Sequence, residues 1–222
     1  MAKVKIPKNY FLVKVEKPYE DTIELKNGKR IILNYTFDPL KHARQYGTVY
    51  QVPEWLPKGL EFDVKIGDKV YFHHMITAST GNVSVDKKFA NSSSQDLISD
   101  NKVRWLDEEN LYSVHWDFIY ARVRDEDIKM LHHWNFVEQK VQDEEEIKSK
   151  TGIFLKPGVE DIELHGYIRH LSDWMKDQGM KKGDEVVFSV NSEYDMKIEG
   201  DVLLRMRNQD ILAKVEDGER KQ

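Results

Sequence analysis

Hydrophobic and polar positions along this chain alternate in short bursts, not at helical spacing. Tyr10 to Val15, Thr48 to Val52, Lys69 to Phe72, Glu185 to Val190 and Val202 to Met206 are brief, rich in β-branched and aromatic residues, and bounded by Gly, Pro, Asp or Asn. That pattern predicts β-strands. Helical spacing is confined to Phe37 to Tyr46 and Leu171 to Gln178, each long enough for a short helix. Short strands at regular intervals with turn residues between them predict a sandwich or barrel.

The bursts recur in order. Asn9-Tyr10-Phe11-Leu12-Val13-Lys14-Val15 matches Asn135-Phe136-Val137-Glu138-Gln139-Lys140-Val141, and Ile31-Ile32-Leu33 matches Ile153-Phe154-Leu155. Gly47-Thr48-Val49 and Trp55 match Gly166-Tyr167-Ile168 and Trp174, with the same Gly-to-Trp spacing. Gly67-Asp68-Lys69-Val70-Tyr71-Phe72 matches Gly183-Asp184-Glu185-Val186-Val187-Phe188, and Ile119 to Asp125 matches Ile211 to Asp217. Five colinear matches indicate an internal duplication, with copies at 1–127 and 128–222. The join, Met130-Leu131-His132-His133-Trp134, is apolar and aromatic, which suits a packed connection better than a flexible tether. Copy one carries an insert at about 75–105 whose small polar residues have loop chemistry, with a short hairpin expected at Val83-Ser84-Val85.

Composition narrows the function. The 222 residues carry a net charge of −5 and no cysteine. The charge argues against nucleic acid as a partner, and the missing cysteine removes disulfides and thiolate zinc sites. No apolar run approaches a membrane span, and Met1 to Pro7 lacks the apolar stretch of a signal peptide. A cytoplasmic protein that does not bind membranes is expected.

Along copy two, Gly152-Ile153-Phe154-Leu155, Gly166-Tyr167-Ile168, Gly183 to Phe188 and Asp210-Ile211-Leu212-Ala213-Lys214-Val215-Glu216 together resemble GroES-type co-chaperonins. Copy one keeps diverged forms of the same motifs. The tandem arrangement resembles the double-barrel co-chaperonins of plastids, and bacteriophages also encode diverged forms, so organelle stroma or host cytoplasm are further expected locations. The resemblance implies an all-β fold of two GroES-like small β-barrels in tandem, each with a long mobile loop. It further implies self-association into a ring and nucleotide-dependent capping of a GroEL-type chaperonin, closing its folding chamber. Ile153, Phe154 and Leu155, with Ile31, Ile32 and Leu33, would be the chaperonin-binding residues. Residue chemistry alone favours ordinary strand cores for both trios. A GroES-fold structural or interaction protein that has lost chaperonin binding is the alternative.

No enzyme activity, cofactor or metal is expected. Nucleotide would be bound by the partner chaperonin. GroES-like barrels also occur in zinc alcohol dehydrogenases, but the chain has no G-x-G for a dinucleotide and no thiolate ligands. The pairs His73-His74 and His132-His133, placed in strands, would point to opposite faces and so poorly share one metal. Trp55 and Trp174 are expected in the core, packed under the roof of each barrel, with a subunit contact as the other option.

Overall fold

The computed structural model describes residues 8–18, 22–24, 30–32, 43–58, 60, 62–78, 101–103, 110–140, 164–190, 192 and 194–215. For 22–24 and 30–32 it describes the backbone alone. The chain divides into two compact units, Met1–Leu131 and His132–Gln222.

The first unit contains β1 (Tyr10–Lys14), β2 (Thr22–Glu24), β3 (Arg30–Ile32), β4 (Tyr46–Gln51), β5 (Lys69–Phe72), β6 (Leu111–His115), β7 (Ile119–Arg124) and β8 (Asp127–Met130). Six of these form an antiparallel sheet in the order β6-β1-β4-β5-β7-β8, while β2 and β3 pair only with each other. The second unit contains β9 (Trp134–Gln139), β10 (His165–His170), β11 (Glu185–Phe188), β12 (Asp195–Ile198), β13 (Asp201–Arg207) and β14 (Ile211–Lys214), with one short helix, α1 (Asp173–Asp177). Its sheet runs β12-β13-β9-β10-β11-β14. The all-β expectation is met in both units. The two six-stranded antiparallel sheets are consistent with the two small β-barrels expected, and among the described residues neither sheet is seen to close on itself.

Five strands are common to both units in the same order: β6-β1-β4-β5-β7 and β13-β9-β10-β11-β14. The equivalence extends to single hydrogen bonds. The Gly67 N–H donates to the Val49 carbonyl at 2.9 Å, and the Gly183 N–H donates to the Ile168 carbonyl at 2.7 Å. The Trp116 N–H donates to Asn9 O at 3.0 Å, and the Asn208 N–H to His133 O at 2.8 Å. This places Asn9 with His133, two residues from the pairing the sequence suggests. Side chains on a strand repeat every second residue, so a two-residue slip keeps every inward position inward and the pattern cannot detect it.

Gly47 and Gly166 explain why the first and second long strands can cross so closely. A Cβ on Gly47 would lie 2.6 Å from the Lys14 carbonyl oxygen and 2.7 Å from Val13 Cγ1. On Gly166 it would lie 2.5 Å from the Glu138 oxygen and 2.6 Å from Val137 Cγ1. Each unit has its own core: Phe11, Val13, Val49, Val70, Phe72 and Ile119 in the first, and Val137, Ile168, Val186, Phe188, Leu204 and Met206 in the second. Met130 and Leu131 are buried in the first unit and Trp134 in the second. The insert tip, including Val83 to Val85, lies outside the described residues, as does most of Phe37 to Tyr46. The second expected helix is observed, shortened to α1.

Because the closest contact at Gly47 and at Gly166 is a backbone oxygen, Gly47→Ala and Gly166→Ala should each cost about 1–3 kcal/mol, the usual cost of overpacking. Urea unfolding of the two variants measures this directly.

Candidate functional site

The expected chaperonin-binding residues fall partly within the described chain. Ile31 and Ile32 lie on β3, paired in register with Ile23 and Thr22 on β2. This hairpin belongs to neither six-stranded sheet, and a lone two-stranded hairpin is marginally stable. It lies between β1 and β4. Leu33 lies outside the described residues, as do Ile153, Phe154 and Leu155, which belong to the equivalent interval between β9 and β10.

The tryptophans depart from expectation. Trp55 is 45% exposed and Trp174 is 54% exposed, so neither is core. The reason is clear at α1. The helix has five residues and buries Met175, with Leu171 just ahead of it. Successive helical residues point about 100° apart, so burying Met175 turns Trp174 outward. Trp55 holds the matching place on the segment after β4, with Lys8 Nζ 5.8 Å from its ring centroid.

The two roofs are anchored by different chemistry. In the second unit the buried Asn135 accepts from the Ser172 N–H at 2.8 Å and donates to Asn208 Oδ1 at 2.8 Å. The Ser172 hydroxyl reaches the same Asn208 oxygen at 2.7 Å and accepts from the Met175 N–H at 3.2 Å, capping α1. The equivalent positions in the first unit are Phe11, Pro53 and Trp116. There the link is apolar and aromatic: the Phe11 and Phe62 rings are 5.3 Å apart, and Phe62 meets Trp116 at 6.5 Å.

The histidines also depart from expectation. His73 and His74 leave β5 into a 3-10 turn, His74–Ile76, where their rings stack at 4.4 Å. His132 has φ 56°, which takes it out of a strand as well. His73 Nδ1 accepts from the Met75 N–H at 3.2 Å. His115, which sequence inspection does not single out, accepts in the same way from the Asp117 N–H at 3.4 Å. Both line an open cavity of about 400 Å³ with Tyr10, Asn101, Ser113 and Phe118. Among the described residues no three His, Asp or Glu are placed to hold a metal ion. Among them, too, no helix is long and apolar enough to cross a membrane.

Charge is concentrated beside the Gly-Asp turns. Arg124 binds Asp68 at 2.7 Å and Asp63 at 3.3 Å, and Arg122 binds Asp63 at 3.1 Å and Asp127 at 3.3 Å. Burial pushes the Asp68 and Asp63 carboxyls up, but hydrogen bonds from the arginines outweigh it and hold both below the ordinary aspartate range. In the second unit the hydrogen bond from Lys214, at 2.7 Å, holds Asp184 low in the same way.

Two small units that are nearly all β among the described residues, each a six-stranded antiparallel sheet with a Gly-Asp turn and a long stretch of sequence between its first two sheet strands, define the class of protein. The family model described as Chaperonin 10 Kd subunit matches residues 127–215. Co-chaperonin GroES of Wolinella succinogenes is 32% identical over 73 residues, covering 32% of this chain and 82% of that protein. The chain belongs to the GroES co-chaperonin family.

Two predictions follow from the electrostatics and the roof. Folding lowers the pKa of Asp63, Asp68 and Asp184, so the unfolded chain takes up protons first as the solution is acidified. The stability from these pairs is fully present above the unfolded aspartate value of about 3.9 and is lost as pH falls through the lower folded values. The melting temperature of Asp68→Asn should therefore fall less steeply than wild type between about pH 5 and pH 2. At the roof, Trp174→Ala should stay within roughly 0.5 kcal/mol of wild type, whereas Met175→Ala, one residue on, should lose about 2–5 kcal/mol. Chemical denaturation separates the two.

Proposed function

We propose that this protein is a co-chaperonin that caps a GroEL-type chaperonin in a nucleotide-dependent way, closing its folding chamber. The contacts are the apolar trios Ile153-Phe154-Leu155 and Ile31-Ile32-Leu33, one for each of two tandem co-chaperonin domains. Besides family membership, one observation carries this assignment. Ile31 and Ile32 sit on the β2–β3 hairpin, which pairs with neither large sheet. Backbone that pairs outside the main sheet, as at Ile31 and Ile32, supports a role at a partner better than a place within the sheet would.

The second trio suits the same role by composition. Gln142-Asp143-Glu144-Glu145-Glu146 precedes it, and Lys156-Pro157-Gly158 ends it. Fully burying each apolar side chain in a partner's groove is worth roughly 1.5–3 kcal/mol. Fixing each residue's backbone costs about 1–2 kcal/mol. The net gain per loop is small, so secure capping needs several loops on one rigid body, where avidity adds about 10²–10⁴. Weak single contacts also permit release when nucleotide turnover changes the groove. Nucleotide is handled by the partner, and this chain contributes surfaces, not catalysis.

Ile153→Asp with Leu155→Asp should abolish co-migration with a GroEL-type chaperonin in ATP or ADP while leaving the melting temperature near wild type. A carboxylate driven into an apolar groove is desolvated without a partner. Ile31→Asp with Leu33→Asp should weaken capping less, since copy one is more diverged. A folded Ile153→Asp, Leu155→Asp variant that still caps removes these residues from the contact. Wild-type protein that ignores the chaperonin in every nucleotide state would leave a GroES-fold interaction protein as the function.

A further inference from the structure

One place in the fold is built differently in the two units. In the first, Ser113 and His115 share a face of β6, with Leu12 and Tyr10 opposite them on β1. In the second, Arg205 and Arg207 share a face of β13, with Phe136 and Trp134 opposite them on β9. One more backbone bond fixes the equivalence. The Ser113 N–H donates to Asn101 O at 2.9 Å, and the Arg205 N–H donates to Tyr194 O at 2.7 Å. Tyr10, Asn101, Ser113 and His115 therefore correspond to Trp134, Tyr194, Arg205 and Arg207.

The second unit shows what occupies this place. The guanidinium carbon of Arg205 lies 4.3 Å from the Trp134 ring centroid and 4.8 Å from that of Tyr194. Arg207 brings a second guanidinium to within 5.0 Å of Trp134. Cations are attracted to aromatic faces at such distances, and a planar guanidinium stacks there as an ammonium does not. In the first unit the short side chain of Ser113 stands where the Arg205 side chain begins. The place is the open cavity of about 400 Å³, whose lining includes Tyr10, His73, Asn101, Ser113, His115 and Phe118.

This lining suits a cation. No lysine or arginine is among the described residues that line it. His73 Nδ1 accepts from the Met75 N–H, and His115 Nδ1 accepts from the Asp117 N–H. A ring nitrogen that accepts a hydrogen bond carries no proton, so both imidazoles are neutral and set no charge against a guanidinium. They add ring surface instead. Tyr10 meets His115 edge-on at 5.1 Å, and Phe118 meets His73 at 5.8 Å and His115 at 6.3 Å. The Ser113 hydroxyl and the Asn101 amide bring oxygen acceptors, which guanidinium N–H groups need.

We propose that the cavity of the first unit takes a guanidinium group from another molecule, stacked on Tyr10 as Arg205 is stacked on Trp134. The chain carries the site twice, once filled by its own arginine and once open to an arginine side chain or a small guanidino compound. The proposal rests on the two strand faces and not on the chaperonin assignment.

The probe is N-acetyl-L-arginine amide, titrated into the full chain and followed by the imidazole proton shifts of His115. A saturable shift is expected, with no such shift from N-acetyl-L-lysine amide or acetate. No saturable shift at His115, or an equal response to the lysine probe or to acetate, overturns the proposal. Tyr10→Leu keeps apolar bulk without the ring and should weaken binding by about tenfold, the scale of a partly desolvated cation–π contact. Unchanged affinity in that variant also overturns it. Ser113→Arg should supply the guanidinium from within the chain and abolish probe binding, and a folded variant that still takes up the probe counts against the site. Should Ser113→Arg misfold, the wild-type titration and Tyr10→Leu decide. The source of the group is read by comparing methylguanidinium with a blocked Gly-Arg-Gly peptide. Tighter binding of the peptide supports the site as one for a polypeptide arginine, and equal binding supports it as one for a small guanidino compound. These measurements contain no chaperonin, so their failure is distinct from failure of capping.

Discussion

One aspartate in each unit ties together three strands, and the rest of the sheet depends on it. Asp68 closes its own turn by accepting the Lys65 N–H at 2.8 Å, and Asp184 accepts the Lys181 N–H at the same distance. Its carbonyl takes the Val49 N–H of β4 at 2.9 Å, as Asp184 takes the Ile168 N–H of β10 at 3.0 Å. Its carboxylate then holds a cation on the closing strand, Arg124 in one unit and Lys214 in the other. The preceding glycine makes this possible. Gly67 and Gly183 have φ +92° and +91°, a region that side chains disfavour. The side chain, carbonyl and turn of one residue therefore set the spacing of β4, β5 and β7, and of β10, β11 and β14.

This also explains which parts of the fold were legible in the sequence. Gly-Asp before an alternating strand is a local signal, and local signals survive in sequence: β5 is observed as Lys69–Phe72, the expected span. The strand order common to the two sheets could be traced in the sequence because those turns recur. Its first strands were matched two residues out, since period-two alternation carries no information about such a slip. β8 was missed as a strand, because its four residues are recognisable only by the edge they cover. The tryptophans were misplaced because hydrophobicity counts as burial only when the backbone turns the side chain inward. At α1 that direction is taken by Met175, and nothing in the sequence ranks it above its larger neighbour.

The candidate contact residues rest on a different kind of signal. Family motifs locate Ile31 to Leu33 and Ile153 to Leu155, while residue type alone points to strand core. The β2–β3 hairpin holds the backbone of Ile31 and Ile32 outside both six-stranded sheets. The interval between β9 and β10 carries the matching assignment on sequence grounds alone.

The two roofs show how far equivalent positions can diverge while the strand order holds. Asn135, Ser172 and Asn208 form a polar set that is satisfied within itself, whereas Phe11, Pro53 and Trp116 fill the same places with apolar surface. Either solution works whole. A mixture does not: an asparagine placed among the aromatic groups would bury an amide without partners, at a cost of about 1–3 kcal/mol. Single substitutions between the two states are therefore unfavourable, and the positions must change together. That coupling keeps the roofs chemically distinct, while Trp55 and Trp174 outside them, free of it, remain the same residue. The exposed tryptophan is thus shared by two units whose supporting chemistry is not, which separates the demand for that side chain from the demands of folding.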